Sequence, residues 1–218
     1  RPPGSVPFRE HGLTFRADLA GGQKTGFFLD QRENRNLVRG LSAGRSVLNL
    51  FSYSGAFGVA ALAGGAARVT HVDVSEPALA LARENHEANG QEPNRVETVA
   101  ADVFEDLRRR VGRGETWDVV VTDPPAFAKK TADVDRACRG YKDVNRLALK
   151  LLAPGGLLLA CSCSGPVSAD LFQKVLFAAS LDAGVPARIV ERRGAGPDHP
   201  VSIDCPETEY LKAFLLSR

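Results

Sequence analysis

Two short stretches carry side chains able to do covalent chemistry. In LACSCSG, Leu159 to Gly165, an apolar run ends in two thiols one residue apart, and in TDPPAF another apolar run delivers Asp123 to a pair of prolines. Three readings compete for the thiols: half of a metal site, inert packing, or a nucleophile at the lip of a sheet. Zinc fits poorly, because no second Cys or His pair stands at ligand spacing from Cys161 and Cys163. With Cys138 and Cys205 they make four cysteines in a chain without a secretory signal, which points to free thiols rather than a disulfide framework. The prolines after Asp123 fix an extended turn, able to present the carboxylate and backbone carbonyls to one edge of a planar base.

A second set of residues reads as a cofactor site. In an open parallel sheet, ligands bind beyond the carboxyl ends of the strands. The first such loop, VLNLFSYSGAFG, offers Gly55 and Gly58 but has Phe51 and Tyr53 where a dinucleotide fingerprint wants glycine, so a ligand without a pyrophosphate is favoured and a nicotinamide dehydrogenase trails. Asp73 ends HVD, where an acidic side chain can accept both hydroxyls of a ribose. Ser75 and Pro77 supply the helix start there, so capping does not explain Asp73. Asp102, in AADVFEDL, is placed either to accept from the amine of an adenine or simply to cap the next helix.

These residues need a sheet to hold them. VPFREHGLTFRADL alternates around His11-Gly12 and predicts a hairpin. GGQKTGFFLDQRENRNLV predicts a short aromatic strand and then a helix ending near Gly40, with Asp30 as N-cap and Glu33 completing a capping box. From Arg45 the pattern alternates. Strands are predicted at Val47–Leu50, Val69–Val74, Val96–Ala100, Trp117–Thr122, Gly156–Ala160, Ala187–Val190 and Tyr210–Leu215, the last antiparallel at an edge or inserted between others. The fold class is α/β: a Rossmann-like, doubly wound, mostly parallel seven-stranded sheet with an N-terminal β-hairpin extension. The division expected is an extension over 1–40 and a main domain over 41–218.

At 218 residues the chain has room for one such domain with a small appendage. A formal charge of +2 permits a nucleic-acid partner without implying one. No run approaches the roughly 18 apolar residues of a membrane span and RPPGSVPFRE has no signal core, so a soluble cytoplasmic protein is expected. Methionine is absent throughout, even at position 1, and a missing N-terminal part is expected.

VLNLFSYSGAFGVAA, HVDVS, AADVFEDL, VVTDPPAFAKK and LLLACSCSG resemble the successive motifs of class I S-adenosylmethionine methyltransferases. More narrowly, GGQKTGFFLDQRENRN, ACRGYKDVNRLALKLL, SADLFQK, GPDHPVS and YLKAF resemble the bacterial large-subunit ribosomal RNA cytosine-5 methyltransferase family. The resemblance implies S-adenosylmethionine as cofactor, ribosomal RNA as partner, no membrane, and an N-terminal RNA-binding PUA domain, expected to be missing from this chain. It also admits a homodimer. It implies that Asn49 and Gly55 hold the methionine portion, that Asp73 binds the ribose and Asp102 the adenine, that Ser52, Ser54 and Ser75 also bind the cofactor, and that Phe28 and Arg32 close over the pocket. Asp123 would serve both cofactor and chemistry.

The chemistry then separates the thiols. An amino nitrogen needs only an edge contact and a methyl donor, whereas carbon 5 of a pyrimidine is a poor nucleophile until a group, usually a thiolate, adds to carbon 6. The resemblance selects Cys163 as that nucleophile and leaves Cys161 to packing. Pro124, Pro125, Phe127, Tyr141 and Lys142 are the substrate-side candidates, with Lys129, Lys130, Arg136 and Arg139 for phosphate contact. Arg108, Arg109 and Arg110 read as an outer-helix surface, and His199 is left undecided. The alternatives are an amino-group methyltransferase of nucleic acid using the DPP motif, and a binding module without turnover.

Overall fold

Alternation in the first segment produces a hairpin, β1 (Val6–Glu10) and β2 (Leu13–Ala17), with Phe8 opposite Phe15. His11 and Gly12 make the turn with φ of 48° and 80°. The computed structural model describes residues 5–17 and 26–218. The glycine-rich stretch of 21–25 therefore lies outside the described residues. The aromatic pair after it forms no strand: Phe27 lies in a bend, and Phe28 leads into a 3₁₀ turn, Leu29–Gln31. Phe27 packs edge-on to Phe8, centroids 4.7 Å apart, and beside Phe15, closing a small apolar cluster.

Helix α1 (Arg32–Leu41) follows, and the expected capping box is absent. Gln31 occupies the N-cap position, while Asp30 lies inside the 3₁₀ turn with its carboxylate taken by the Tyr210 hydroxyl at 2.7 Å. A contact 180 residues away has displaced the local cap. Arg35 reaches from α1 to the hairpin and donates twice to Glu10, at 2.7 and 2.6 Å, with both side chains buried.

The main sheet is built by β3 (Ser46–Leu50), β4 (Arg68–Asp73), β5 (Val96–Ala100), β6 (Trp117–Thr122), β7 (Leu152–Ser162), β8 (Arg188–Arg193) and β9 (Lys212–Ser217). Its order is β5-β4-β3-β6-β7-β9-β8. The first five are parallel, and β9 inserts antiparallel between β7 and β8. Val119, Val120 and Val121 of β6 are all buried, as a strand covered on both faces requires. Helices α4 (Val103–Gly112), α5 (Val134–Lys150) and α6 (Ala169–Ala183) share one core with the sheet; α1 and α2 (Ala56–Ala63) share the other. Helix α3 (Glu76–Glu87) joins β4 to β5.

Five strands differ from their expected bounds, β3 and β4 by one residue and three others by more. β7 begins earlier, at Leu152, because Trp117 pairs with that residue before a register shift. β8 runs three residues further, and β9 starts at Lys212 rather than Tyr210, whose hydroxyl is engaged by Asp30. The Arg108–Arg110 run is not a mere surface either. Arg110 is buried on Trp117, 5.6 Å from its ring centre, and pairs with Asp106 and Glu115, while Arg108 reaches Asp143 on α5.

Arg35→Met leaves the Glu10 carboxylate buried without its partner and should cost about 3–5 kcal/mol in urea unfolding. Adding Glu10→Leu should recover most of that loss; a double variant no more stable than the single would contradict the pairing.

Candidate functional site

A cavity of about 440 Å³ opens at the carboxyl ends of the parallel strands. Phe28, Asp30, Gln31, Tyr53, Asp73 and Ser75 line one end, and Asp123, Pro124, Pro125 and Cys163 the other. The loop after β3 makes its floor. Phe51, Tyr53 and Gly55 have φ of 54°, 45° and 73°, so the two aromatics adopt the left-handed backbone that glycines would ordinarily supply. Each non-glycine in that region costs of order 1–3 kcal/mol, and the surrounding bonds hold it there. Ser52 N donates to Val72 O at 3.1 Å and Tyr53 N to Asp73 Oδ2 at 2.8 Å. A Cβ at Gly55 would come within 2.6 Å of Ala82 on α3, so only glycine lets the helix approach. Asp73 Oδ1 accepts from Ser75 N at 2.9 Å, and Ser75 caps α3 through Ala78 N.

Beneath this loop runs a fully neutral chain of donors. Asn49 Nδ2 meets His71 Nδ1 at 3.2 Å, His71 Nε2 meets His86 Nε2 at 2.8 Å, and His86 Nδ1 meets Gln91 Oε1 at 2.5 Å. One tautomer assignment satisfies all three: the Asn49 amide donates to His71, His71 donates through Nε2 to His86, and His86 donates through Nδ1 to Gln91. Burial pushes His71 well below its ordinary value and His86 down to about 4. The chain leaves Asn49 Oδ1 as a buried acceptor with no hydrogen-bond partner among the described residues, and Ser52 Oγ is similarly orphaned. Two unmet polar atoms below the loop, a carboxylate at the end of β4 and a glycine where α2 begins without a side-chain cap fit an adenosyl amino acid.

The catalytic lip comes from the pairing of β6 with β7. Thr122 lies opposite Ala160, so Asp123 and the residues after Ser162 emerge side by side. The Cys163 thiol donates to Pro124 O at 3.7 Å and lines the cavity. Cys161, two residues earlier, is fully buried, and burial raises its thiol well above the ordinary value. Gln31 Nε2 donates to Asp123 Oδ1 at 2.9 Å, tying the turn before α1 to the lip.

Other candidates lie elsewhere. Tyr141 is fully buried, its hydroxyl exchanging a 2.8 Å bond with Ser164 Oγ, so it braces the turn that follows Cys163 and offers no stacking face. Lys142 pairs with Asp182 on α6. Phe127 packs between Phe104 and Tyr141 and lines a smaller groove with Arg136. Arg32 is not among the residues that line the cavity; it pairs with Glu33 and Asp198, beside His199. Asp102 spends Oδ1 on capping α4 through Glu105 N at 3.1 Å. Ser54 is buried behind the loop, where its carbonyl accepts from Asn85. Sequence reasoning missed Asp30 and Gln31 as cavity residues because LDQRE also spells a capping box, and it missed Lys212, whose signal was a lone lysine in the apolar run YLKAFLL.

The profile of the S-adenosylmethionine-dependent methyltransferase family matches residues 3–217. "Ribosomal RNA large subunit methyltransferase I" of Klebsiella pneumoniae is 48% identical over 213 residues, 98% of this chain and 53% of that protein. The protein of the same name from Photobacterium profundum is 49% identical, over 98% of this chain and 54% of its own length. The chain thus spans about half the length of the curated relatives it matches. Among solved structures, SMU.776, described as a methyltransferase complexed with SAH, superposes with a TM-score of 0.90 at 30% identity, over all of this chain and 57% of that one.

The buried histidines set a pH dependence. Unfolded, each titrates near 6.5, whereas the folded chain keeps them neutral further down, His86 to about 4. As pH falls through that window the unfolded state takes up protons the folded state refuses, so stability is lost with acid. His86→Gln should flatten the wild-type dependence between pH 6.5 and 4.5 by up to roughly 1.4 kcal/mol per pH unit in urea unfolding. Identical slopes would contradict the neutral pair.

Proposed function

The chain belongs to the S-adenosylmethionine-dependent methyltransferase family, and from that premise we propose that it methylates carbon 5 of a cytosine in large-subunit ribosomal RNA through a covalent adduct to Cys163. The single observation that carries this reading is the shared cavity: the Cys163 thiol, the Asp123-Pro124-Pro125 turn and the Asp73 carboxylate all line it. An enzyme that methylated an amino group would need the turn and the carboxylate but no thiol. The ribosomal RNA assignment draws on relatives at 48–49% identity that bear that name.

Asp73 is the residue for the ribose hydroxyls, with Ser75 N–H and Tyr53 N–H fixing its two oxygens. Asn49, Ser52, Gly55 and Asp102 do not line the cavity; the unpartnered Asn49 Oδ1 and Ser52 Oγ beneath the loop support assigning them to the amino-acid end, and Asp102, one oxygen of which caps α4, is assigned to the adenine amine. Phe28, edge-on to Tyr53 at 5.5 Å, forms a wall. When bound, S-adenosylmethionine supplies an electrophilic methyl group.

A cytosine turned out of its stack would enter beside Pro124 and Pro125. The Cys163 thiolate adds to carbon 6, forming a carbon–sulfur bond and pushing the ring's double-bond electrons toward the polar edge. Asp123, held by Gln31 and carrying a proton when the base is bound, donates to a ring atom on that edge and so stabilises the negative charge that develops there. Carbon 5 is then nucleophilic and gains the methyl group. Loss of its proton to a base returns the electrons, breaks the carbon–sulfur bond and restores Cys163. The exposed Lys129, Lys130, Arg136 and Arg139 lie on the loop and helix after the proline turn, where backbone phosphates would pass.

Cys163→Ala should lower transfer of labelled methyl to ribosomal RNA by at least about a thousandfold, with cofactor affinity kept. Cys161→Ala should stay active. Full activity in Cys163→Ala would overturn the carbon 5 assignment. Separately, Asp73→Ala should weaken S-adenosylmethionine binding in calorimetry by roughly tenfold or more, as loss of a charged hydrogen-bond acceptor does; unchanged affinity would remove Asp73 from the site.

A further inference from the structure

Cys163 stands among acids. Asp123, on the loop after β6, and Asp30, in the turn before α1, line the same cavity as the thiol. Tyr141 of α5, Cys161 of β7 and Tyr210 ahead of β9 also lie within electrostatic range of one another or of Cys163. Burial raises all three of those groups, so they stay neutral near pH 7. Asp30 and Asp123 are the acids that share the cavity wall with the thiol, and an ionised carboxylate there opposes a thiolate.

Among the described residues, one buried lysine stands at this lip. Lys212 opens β9 directly opposite Ser162, and it is the one lysine among the buried polar side chains of the described residues, 4% exposed. Its ammonium donates to Ser164 O at 2.6 Å and to Tyr210 O at 2.8 Å, so it grips the peptide just after Cys163. No carboxylate forms an ion pair with it among the described residues. Two of its three N–H groups are thereby used on carbonyls and the third is left. A buried ammonium without a carboxylate is costly, and a methionine would fill the same space without that cost.

We propose that Lys212 is a positioning residue for Cys163, its ammonium favouring the thiolate and fixing the Ser162–Ser164 turn at the lip of the cavity. The inference rests on the reading of Cys163 as nucleophile. The thiol gives its proton to solvent, and the sulfur's negative charge is then balanced by Lys212 until the carbon–sulfur bond forms. Burial lowers Lys212 to about 8, with Cys163 and Glu209 pulling the other way, so it is charged at neutral pH. Ser164 completes the brace, its hydroxyl accepting from Ala128 N at 3.0 Å while its carbonyl accepts from Lys212.

The test is the pH profile of iodoacetamide alkylation at Cys163, followed by mass spectrometry of the peptide that carries it, in the full chain. The wild-type inflection should lie below the roughly 8.5 of an ordinary thiol. Lys212→Met should move it upward and slow alkylation at pH 7 about tenfold or more, while Lys212→Arg should keep it low. An unmoved inflection in Lys212→Met overturns the proposal. Should that variant fail to fold, a wild-type inflection at or above the ordinary value, or a raised one in Lys212→Arg, overturns it equally. Methyl transfer by Cys163→Ala separates the two readings: an active Cys163→Ala with a low wild-type inflection sinks the nucleophile and leaves the effect of Lys212 on the thiol standing.

Discussion

Parallel pairing of β6 with β7, Thr122 opposite Ala160, sets the distance between the proline turn and the thiol, and with it everything the site can do. Neither strand could shift by one residue without exchanging the side chains packed into the two cores, because Val119 to Val121 and Leu158 to Cys161 are covered on both sides. The register is thus held by the core rather than by the site. β9 then locks β7 from the other edge, and the same antiparallel ladder that places Leu215 opposite Leu159 places Lys212 opposite Ser162. The lip inherits its precision from three central strands.

The cofactor end depends on a different constraint, close approach. α3 comes so near the loop after β3 that Gly55 admits no Cβ, and Gly58 sits against the His71 ring, where a Cβ would lie 2.3 Å from Cε1. With no room for a hydrated charge, His71 and His86 are kept neutral, and their one consistent tautomer pattern fixes the Asn49 amide with its oxygen unspent. Strain at Phe51 and Tyr53 belongs to the same economy: their left-handed backbones curve the loop so that Tyr53 N–H reaches the Asp73 carboxylate.

The parallel sheet was legible because its strands are apolar runs whose covering helices leave no choice of environment, and Cys163 was legible as a lip residue because the run stops one position before it. What escaped depends on partners distant in the chain. Asp30 reads locally as a cap, and only the Tyr210 hydroxyl makes it a wall of the cavity. Tyr141 reads as a base-stacking aromatic, yet the Ser164 hydroxyl and the Phe172 ring, 5.3 Å away, draw it into the core. Lys212 went unread because its acceptors are backbone carbonyls, which no side-chain pattern announces.

The central claim is that Cys163 bonds covalently to a pyrimidine. Ribosomal RNA transcribed with 5-fluorocytidine, incubated with the protein and S-adenosylmethionine, tests it most directly, since fluorine on carbon 5 cannot leave as a proton and the carbon–sulfur bond cannot be broken again. The account predicts a protein–RNA adduct that survives denaturation and maps to the Cys163 peptide. Methyl transfer to unmodified RNA without any such adduct, or an adduct on another cysteine, would contradict it.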